Sequence, residues 1–164
     1  MTQQRFPQTR MRRLRTSAAL RDLLQETTIN ANDLIYPIFV EENLTERTPI
    51  NALPGIFRET EESVANAARE AQSLGIKAII LFGISHNKDA RGSDSLKETG
   101  LLYRMIDRVK QACPDLLVIA DTCFCEYTDH GHCGSLKTDG TVHNDNTLEN
   151  LAKQTIIAAK SGAD

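Results

Sequence analysis

Three short apolar runs, each followed by a helical pattern, constrain the fold of this chain more than any other feature. The runs cover residues 34–40, 76–82 and 116–120, and Lys77 is the one charge among them. Such runs are typical of strands in parallel sheets, and parallel strands need crossover helices between them. The pattern therefore predicts an α/β fold. Pro37 predicts that the first strand is an edge or contains a bulge, since proline cannot donate to a strand ladder.

Capping residues and glycines delimit the helices between the runs. Thr16 or Ser17 can cap a short helix that ends at about Glu26. Thr60 can cap a second helix, and Gly75 can end it.

A last helix is predicted near the end of the sequence. It opens at Asn146 or Thr147, where Asn146 and Glu149 form a plausible capping box. The 3.6-residue period predicts an inner face made of Leu148, Leu151, Thr155 and Ala158 or Ala159.

The size of the chain leaves two architectures open. Its 164 residues suggest one domain. Three βα units are too few to close a (β/α)₈ barrel, which typically needs about 250 residues. The pattern fits either a part of such a barrel or a small open sheet. Residues 1–30 are predicted to form an N-terminal arm with a short helix, and residues 31–164 the α/β domain.

Charge argues against several classes of partner. The formal net charge is −3, which gives no support for binding to nucleic acid or to a membrane surface. The sequence shows no secretory signal and no apolar run long enough to span a bilayer, so a cytoplasmic protein with reduced thiols is expected.

The N-terminal arm is locally basic, in contrast to the negative net charge of the chain. It is either a disordered basic tail or a contact with a neighbouring subunit. Its arginines are Arg5, Arg10, Arg12, Arg13 and Arg15.

Three of the four cysteines follow the third apolar run directly. Alternate residues of an extended segment point the same way, so Cys123 and Cys125 can face one ion. Turns at Gly131 and Gly134 can return Cys133 to them. Thiolates are soft ligands that suit Zn²⁺, so the spacing favours a zinc site. Free thiols or a disulfide are the alternative.

The sequence leaves the fourth ligand of such a zinc site undetermined. A structural zinc would take His130 or His132, whereas a catalytic zinc would keep the position for water or a substrate oxygen. Either histidine can instead donate a hydrogen bond to a metal ligand, or lie exposed to solvent. Asp121, at the end of the strand, can orient a ligand, accept from a substrate amine or move a proton, or simply cap a turn.

The cysteine loop resembles the metal loop of the zinc-dependent porphobilinogen synthases, also called delta-aminolevulinic acid dehydratases. The resemblance covers nearly the whole chain, and this loop, Asp121-Thr122-Cys123-Phe124-Cys125-Glu126-Tyr127-Thr128-Asp129-His130-Gly131-His132-Cys133-Gly134, is its most specific part. Further motifs in the family's order are Arg12-Arg13-Leu14-Arg15, Tyr36-Pro37-Ile38-Phe39-Val40, Leu53-Pro54-Gly55-Ile56, Phe82-Gly83-Ile84, Lys88-Asp89 with Gly92-Ser93, Asn144-Asp145 with Thr147-Leu148, and Gly162-Ala163-Asp164.

The resemblance implies the N-terminal portion of a TIM (β/α)₈ barrel, about three βα units, preceded by an extended arm. It implies a lyase of haem and other tetrapyrrole biosynthesis that condenses two molecules of 5-aminolevulinate into porphobilinogen. Family members assemble as homo-octamers through the arm, and some add an allosteric Mg²⁺ site. By the same resemblance, Cys123, Cys125 and Cys133 bind the active-site zinc, and Asp121 lies beside the substrate amine.

The lysines depart from the family pattern. The family forms Schiff bases through two lysines in motifs beyond the third βα unit, and no lysine of this chain lies in such a motif. Schiff-base chemistry needs a desolvated amine with a lowered pKa. The chain is therefore predicted to carry the zinc half of the site and to be inactive alone. The alternative is a non-catalytic zinc-binding remnant or assembly module of the family.

An incomplete barrel also exposes apolar surface. Its open sheet edge and uncovered inner face predict marginal stability or self-association.

Overall fold

The computed structural model describes residues 5–7 and 9–164 of the chain. The chain divides into two compact units, Met1–Asn30 and Ala31–Asp164. Part of the predicted extended arm, the first four residues and the eighth, lies outside the described residues. Within the described ranges, no helix has the length and apolar character needed to cross a membrane.

The first unit contains one short helix, α1 (Ala18–Leu23), which follows a 3₁₀ turn at Arg13–Arg15. Ser17 caps α1, because its Oγ accepts a hydrogen bond from the Leu20 N–H at 3.2 Å. The helix ends before the predicted Glu26. None of its residues is buried, so no core packing of the kind that stabilises longer helices supports it among the described residues of this unit.

The second unit is built on a five-stranded sheet with the order β2-β3-β1-β4-β5. All neighbouring strands are parallel except β2 and β3. The predicted α/β class is therefore confirmed, and the sheet ends in two edges instead of closing. The strands are β1 (Ile35–Glu41), β2 (Thr48–Pro49), β3 (Phe57–Glu59), β4 (Ala78–Ile84) and β5 (Leu117–Ala120).

The prediction that Pro37 marks an edge or a bulge is wrong, because β1 lies in the middle of the sheet. On one side Pro37 pairs with Ile80 of β4. On the other side, β1 pairs with β3 only at Phe39 and Val40. Pro37 therefore lies beside an unpaired stretch of β1, where a residue without an N–H removes no hydrogen bond from the sheet.

The apolar pattern does not predict β2 or β3, which form in the connection after β1. They contain two and three residues, which is too short for a period to be visible. Side-chain contacts of Arg47 support this edge of the sheet. Its guanidinium carbon lies 3.8 Å from the centre of the Phe57 ring, and its Nη2 lies 3.4 Å from a carboxylate oxygen of Glu59.

Two helices, α2 (Val64–Ser73) and α3 (Leu101–Ala112), pack on one face of the sheet, and α4 (Asn144–Lys160) packs against α3. Alternate strand residues face these helices in a single core, among them Ile38, Val40, Ile79, Leu81 and Val118. On the other face Ile35 and Leu117 are about half exposed, at 54% and 50%. The uncovered apolar face expected of an incomplete barrel is therefore present.

The start of α4 differs from the prediction. The helix begins at Asn144, and His143 is its cap, since the ring Nδ1 accepts from the Asn146 N–H at 3.3 Å. A capping box of Asn146 and Glu149 is therefore wrong, because Asn146 already lies inside the helix.

The predicted inner face of α4 is wrong at Leu148 and Thr155, which are exposed, whereas Leu151 is half-buried and Ala158 is buried. Leu148 is 56% exposed. The buried residues are Thr147, Asn150, Gln154, Ile157 and Ala158. Hydrophobic periodicity misplaces this face because the first half of α4 packs on the polar backbone of the cysteine loop.

A buried carboxylate network joins the ends of β1 and β4 to α3. Glu42 is 5% exposed and accepts from the Ser85 hydroxyl at 3.3 Å, the His86 N–H at 2.8 Å and Arg104 Nη2 at 2.9 Å. Arg104 Nε also donates to Glu61 at 2.7 Å. Burial raises the pKa of Glu42, but the hydrogen bonds, led by that of His86, outweigh it and hold the pKa below its ordinary value.

Candidate metal centre

The candidate metal centre forms where β5 ends, at the carboxyl edge of the parallel strands. β5 stops at Ala120, and the chain then runs through an irregular loop to α4. Cys123 Sγ lies 3.2 Å from both Cys125 Sγ and Cys133 Sγ. All three sulfurs lie within 4.8 Å of one another. The structure thus brings together the three cysteines that the sequence singles out.

The donor set fits a soft divalent cation. Two sulfurs bound at about 2.3 Å to one tetrahedral zinc lie about 3.8 Å apart. The separations of 3.2 Å seen here would need to widen by only about half an ångström. The cysteines can therefore hold a metal ion without rearrangement of the loop.

Two of the three thiols have pKa values raised above their ordinary range when no cation is bound. Burial, followed by contact with Cys123, raises the pKa of Cys125 to about 12. At Cys133 the hydrogen bond with Cys123 is the main cause of a raised pKa. Because thiolate is the form that binds metal, an incoming cation must displace the protons of these thiols, and its affinity rises with pH.

The two histidines of the loop do not join the sulfur cluster formed by the described residues. His132 is exposed, its N–H donates to His130 Nδ1 at 3.1 Å, and its carbonyl accepts from Thr128 Oγ1 at 2.9 Å. His130 Nε2 lies 3.3 Å from the carbonyl oxygen of Ala90. Three sulfurs without a clustered fourth ligand resemble a catalytic site more than a closed structural one.

Two carboxylates lie next to the sulfurs along the chain. The Asp121 N–H donates to the Leu81 carbonyl at 3.2 Å, which holds this residue at the end of β5. Burial raises the pKa of the Asp121 carboxyl. Glu126 accepts from the Gly83 N–H at 3.2 Å, and burial followed by the charge of Asp121 raises its pKa to about 7. Glu126 can therefore exchange a proton near neutral pH beside the sulfurs, and the raised pKa of Asp121 shifts that carboxyl in the same direction.

Glu126 is a residue that sequence reasoning misses. The pairing of β4 with β5 ends at Leu81 and Ala120, so no β5 carbonyl accepts from the Gly83 N–H. The Glu126 carboxylate accepts from it instead. No local pattern reveals this role, because it depends on where another strand lies.

The loop after β4 supports the cysteine loop. The Asp89 N–H donates to the Tyr127 carbonyl at 3.3 Å, and the Asp129 N–H donates to the Asp89 carbonyl at 3.2 Å. Gly92 has a φ of +63°, and a Cβ there would lie 2.8 Å from the Phe124 ring. The glycine is therefore required both by its backbone conformation and by the close approach of the two loops.

Comparison with known proteins decides the family. The family model for "Delta-aminolevulinic acid dehydratase" matches residues 8–164. The chain belongs to this family. The match confirms the resemblance that the sequence motifs indicate.

Relatives in the dehydratase family are similar over nearly all of this chain. The delta-aminolevulinic acid dehydratase of Escherichia coli (strain K12) is 50% identical over 155 residues, covering 94% of this chain and 48% of the relative. That of Synechocystis sp. is 43% identical over 162 residues, with 97% and 50% covered. The chain therefore spans about half the length of the curated relatives it matches.

A solved dehydratase structure has the same fold over this region. The enzyme of Toxoplasma gondii ME49, in complex with the reaction product porphobilinogen, matches with a TM-score of 0.88 and 38% identity. The match covers 96% of this chain and 45% of that one. The expected partial barrel is therefore confirmed.

Proposed function

We propose that this chain carries the zinc-binding part of a porphobilinogen synthase active site. The reaction is the condensation of two 5-aminolevulinate molecules into porphobilinogen. The observation that carries the proposal is the cluster of three cysteine sulfurs at the carboxyl edge of the sheet, with Asp121 beside it. Barrel enzymes place their reacting groups at this edge.

Each residue has a defined task in this proposal. Cys123, Cys125 and Cys133 hold Zn²⁺ and leave one position for a substrate oxygen. When bound, zinc supplies a Lewis acid for a substrate carbonyl. Asp121 accepts a hydrogen bond from the substrate amine, and the partial burial that raises its pKa also lets it hold a proton. His132 remains an alternative ligand from the exposed side of the loop.

The covalent part of the reaction is proposed to need lysines that this chain does not supply. None of its seven lysines lies in a motif that resembles the Schiff-base lysines of the family. We expect the 164-residue polypeptide to bind zinc and substrate but to release no porphobilinogen on its own.

Binding of 5-aminolevulinate tests this function. Ligand-detected NMR on the zinc-loaded chain should show saturation transfer to 5-aminolevulinate, and a chelator should abolish it. Asp121→Asn should weaken binding roughly tenfold or more, because a hydrogen bond to a charged group contributes about 1.5–3 kcal/mol. Asp129→Asn, an identical change at an exposed position of the same loop, should leave binding unaltered.

Two outcomes would count against the proposal. Equal binding of 5-aminolevulinate with and without zinc would show that the metal takes no part in substrate binding. Zinc binding without detectable binding of 5-aminolevulinate would favour a non-catalytic assembly module of the family.

We further infer the setting of the whole protein from the family. It assembles as a homo-octamer in which the arginine-rich arm contacts a neighbouring subunit, and some relatives add a regulatory Mg²⁺. The three reduced thiols fit the cytoplasm, where disulfides rarely persist. No nucleic acid or membrane partner is part of the proposal.

A further inference from the structure

The face of α4 that lies under the cysteine loop is polar. Thr147, Asn150 and Gln154 are three and four residues apart, so they lie on one side of the helix. They are buried, at 7%, 3% and 1% exposure. Buried polar groups are unfavourable unless they are hydrogen-bonded, so this face needs partners that an apolar face would not.

Those partners are the two ends of the cysteine loop. Gln154 Nε2 donates to the Cys123 carbonyl at 2.9 Å. Thr147 Oγ1 accepts from the Ser135 N–H at 3.2 Å, and Asn150 Nδ2 donates to the Ser135 Oγ at 3.3 Å. One helix therefore holds both the first metal-site cysteine and the segment that follows the last one.

The loop lies directly on the helix at this point. A Cβ at Gly134 would come within 2.5 Å of Thr147 Oγ1, so only glycine allows the observed approach. Gly134 follows Cys133, and the position of that sulfur is consequently coupled to Thr147.

The side chain of Gln154 indicates that the contact between α4 and the cysteine loop is more than close packing. Its Oε1 is buried and has no hydrogen-bond partner among the described residues. A methionine of similar length would avoid this unpaired acceptor. The amide is useful at this position because its other end holds the Cys123 carbonyl.

We propose that Thr147, Asn150 and Gln154 are positioning residues that fix the spacing between the two ends of the loop. With this spacing set, Cys133 meets Cys123 and Cys125 before a metal arrives. Zinc then binds a preformed group of sulfurs instead of ordering the loop. The proposal rests on the zinc site proposed above and adds the residues that set its geometry.

Zinc affinity of α4 variants tests the inference. Gln154→Met and Thr147→Val should each weaken zinc binding about 10–100-fold in a competition titration with a chromophoric chelator. Thr147→Ser keeps the hydroxyl and should bind zinc as the unaltered chain does. Thr155→Val is the matched control, since Thr155 is exposed on the same helix and its hydroxyl donates to the Leu151 carbonyl of that helix.

Hydrogen exchange provides a readout that does not need metal. In the zinc-free chain, the backbone amides of residues 123–135 should exchange faster in Gln154→Met and Thr147→Val, the two weakened variants, than in the unaltered chain. The amides of β1 and β4 should exchange at the same rate in all three. If either variant fails to fold, the other decides the question.

Two results would overturn the inference. The first is zinc affinity within about twofold of the unaltered chain for the folded weakened variants. The second is a Thr147→Ser variant that loses as much affinity as Thr147→Val. Failure of the unaltered chain itself to bind zinc would instead overturn the proposed function.

Discussion

Replacing Cys125 with serine is expected to weaken zinc binding by at least about a hundredfold. Four-ligand zinc sites bind with roughly 10–16 kcal/mol, so one thiolate contributes about 3 kcal/mol, and each 1.4 kcal/mol is a factor of ten. Cys125 is also the thiol whose pKa is raised to about 12, so it forms a thiolate readily only with a cation present. Competition titration at constant pH measures the change.

Cys113→Ala is the matched control for the loss of a thiol. Cys113 is a free cysteine in the core, 1% exposed, and it is not one of the clustered ligands. This variant should lose some stability but keep its zinc affinity. Equal zinc affinity in Cys125→Ser and the unaltered chain would contradict the assignment of the site.

Replacing Arg104 with methionine is expected to destabilise the chain by about 3 kcal/mol at neutral pH. Removing one partner of a buried ion pair leaves the other charge unpaired, which typically costs about 3–5 kcal/mol. The side chain of Arg104 is 32% exposed, so the lower end of that range applies. Glu42 would keep its bonds to Ser85 and His86 but lose its only cationic partner among the described residues. Urea unfolding monitored by circular dichroism measures the change.

The pH dependence separates this effect from lost packing. Because the pKa of Glu42 is lowered in the folded chain, its contribution to stability is present above its ordinary pKa and is lost as the pH falls through the folded value. The penalty in Arg104→Met should therefore shrink in acid. Arg108→Met, at an exposed position of the same helix, should cost little at any pH. A penalty that stays constant into acid would show that Glu42 is not the partner that matters.

The parts of the fold visible in the sequence are those set by local chemistry. The three long parallel strands, β1, β4 and β5, appear as apolar runs because alternate residues of each strand pack into the core under the helices. Cys123, Cys125 and Cys133 cluster as the spacing predicts, but through a turn instead of an extended segment, since Cys125 lies in the turn where the Tyr127 N–H donates to the Phe124 carbonyl. These features depend on residues that are close together in the chain, so pattern reasoning reaches them.

The missed parts depend on packing between distant segments. Pro37 is tolerated in a central strand only because β3 is short. The first part of the inner face of α4 is polar because the cysteine loop lies on it. Glu126 accepts from the Gly83 N–H because the pairing of β4 with β5 ends before Gly83. A period or a spacing carries no information about such contacts. They are also the contacts that shape the metal centre.

X-ray absorption at the zinc edge, on the chain loaded with one equivalent of zinc, tests the central claim most directly. The claim is that three cysteine sulfurs at the end of β5 form one zinc site with an open fourth position. The account predicts three sulfur neighbours at about 2.3 Å and one lighter atom, and one sulfur fewer in Cys125→Ser. A zinc bound only by nitrogen and oxygen, or a sulfur count unchanged in that variant, would contradict it.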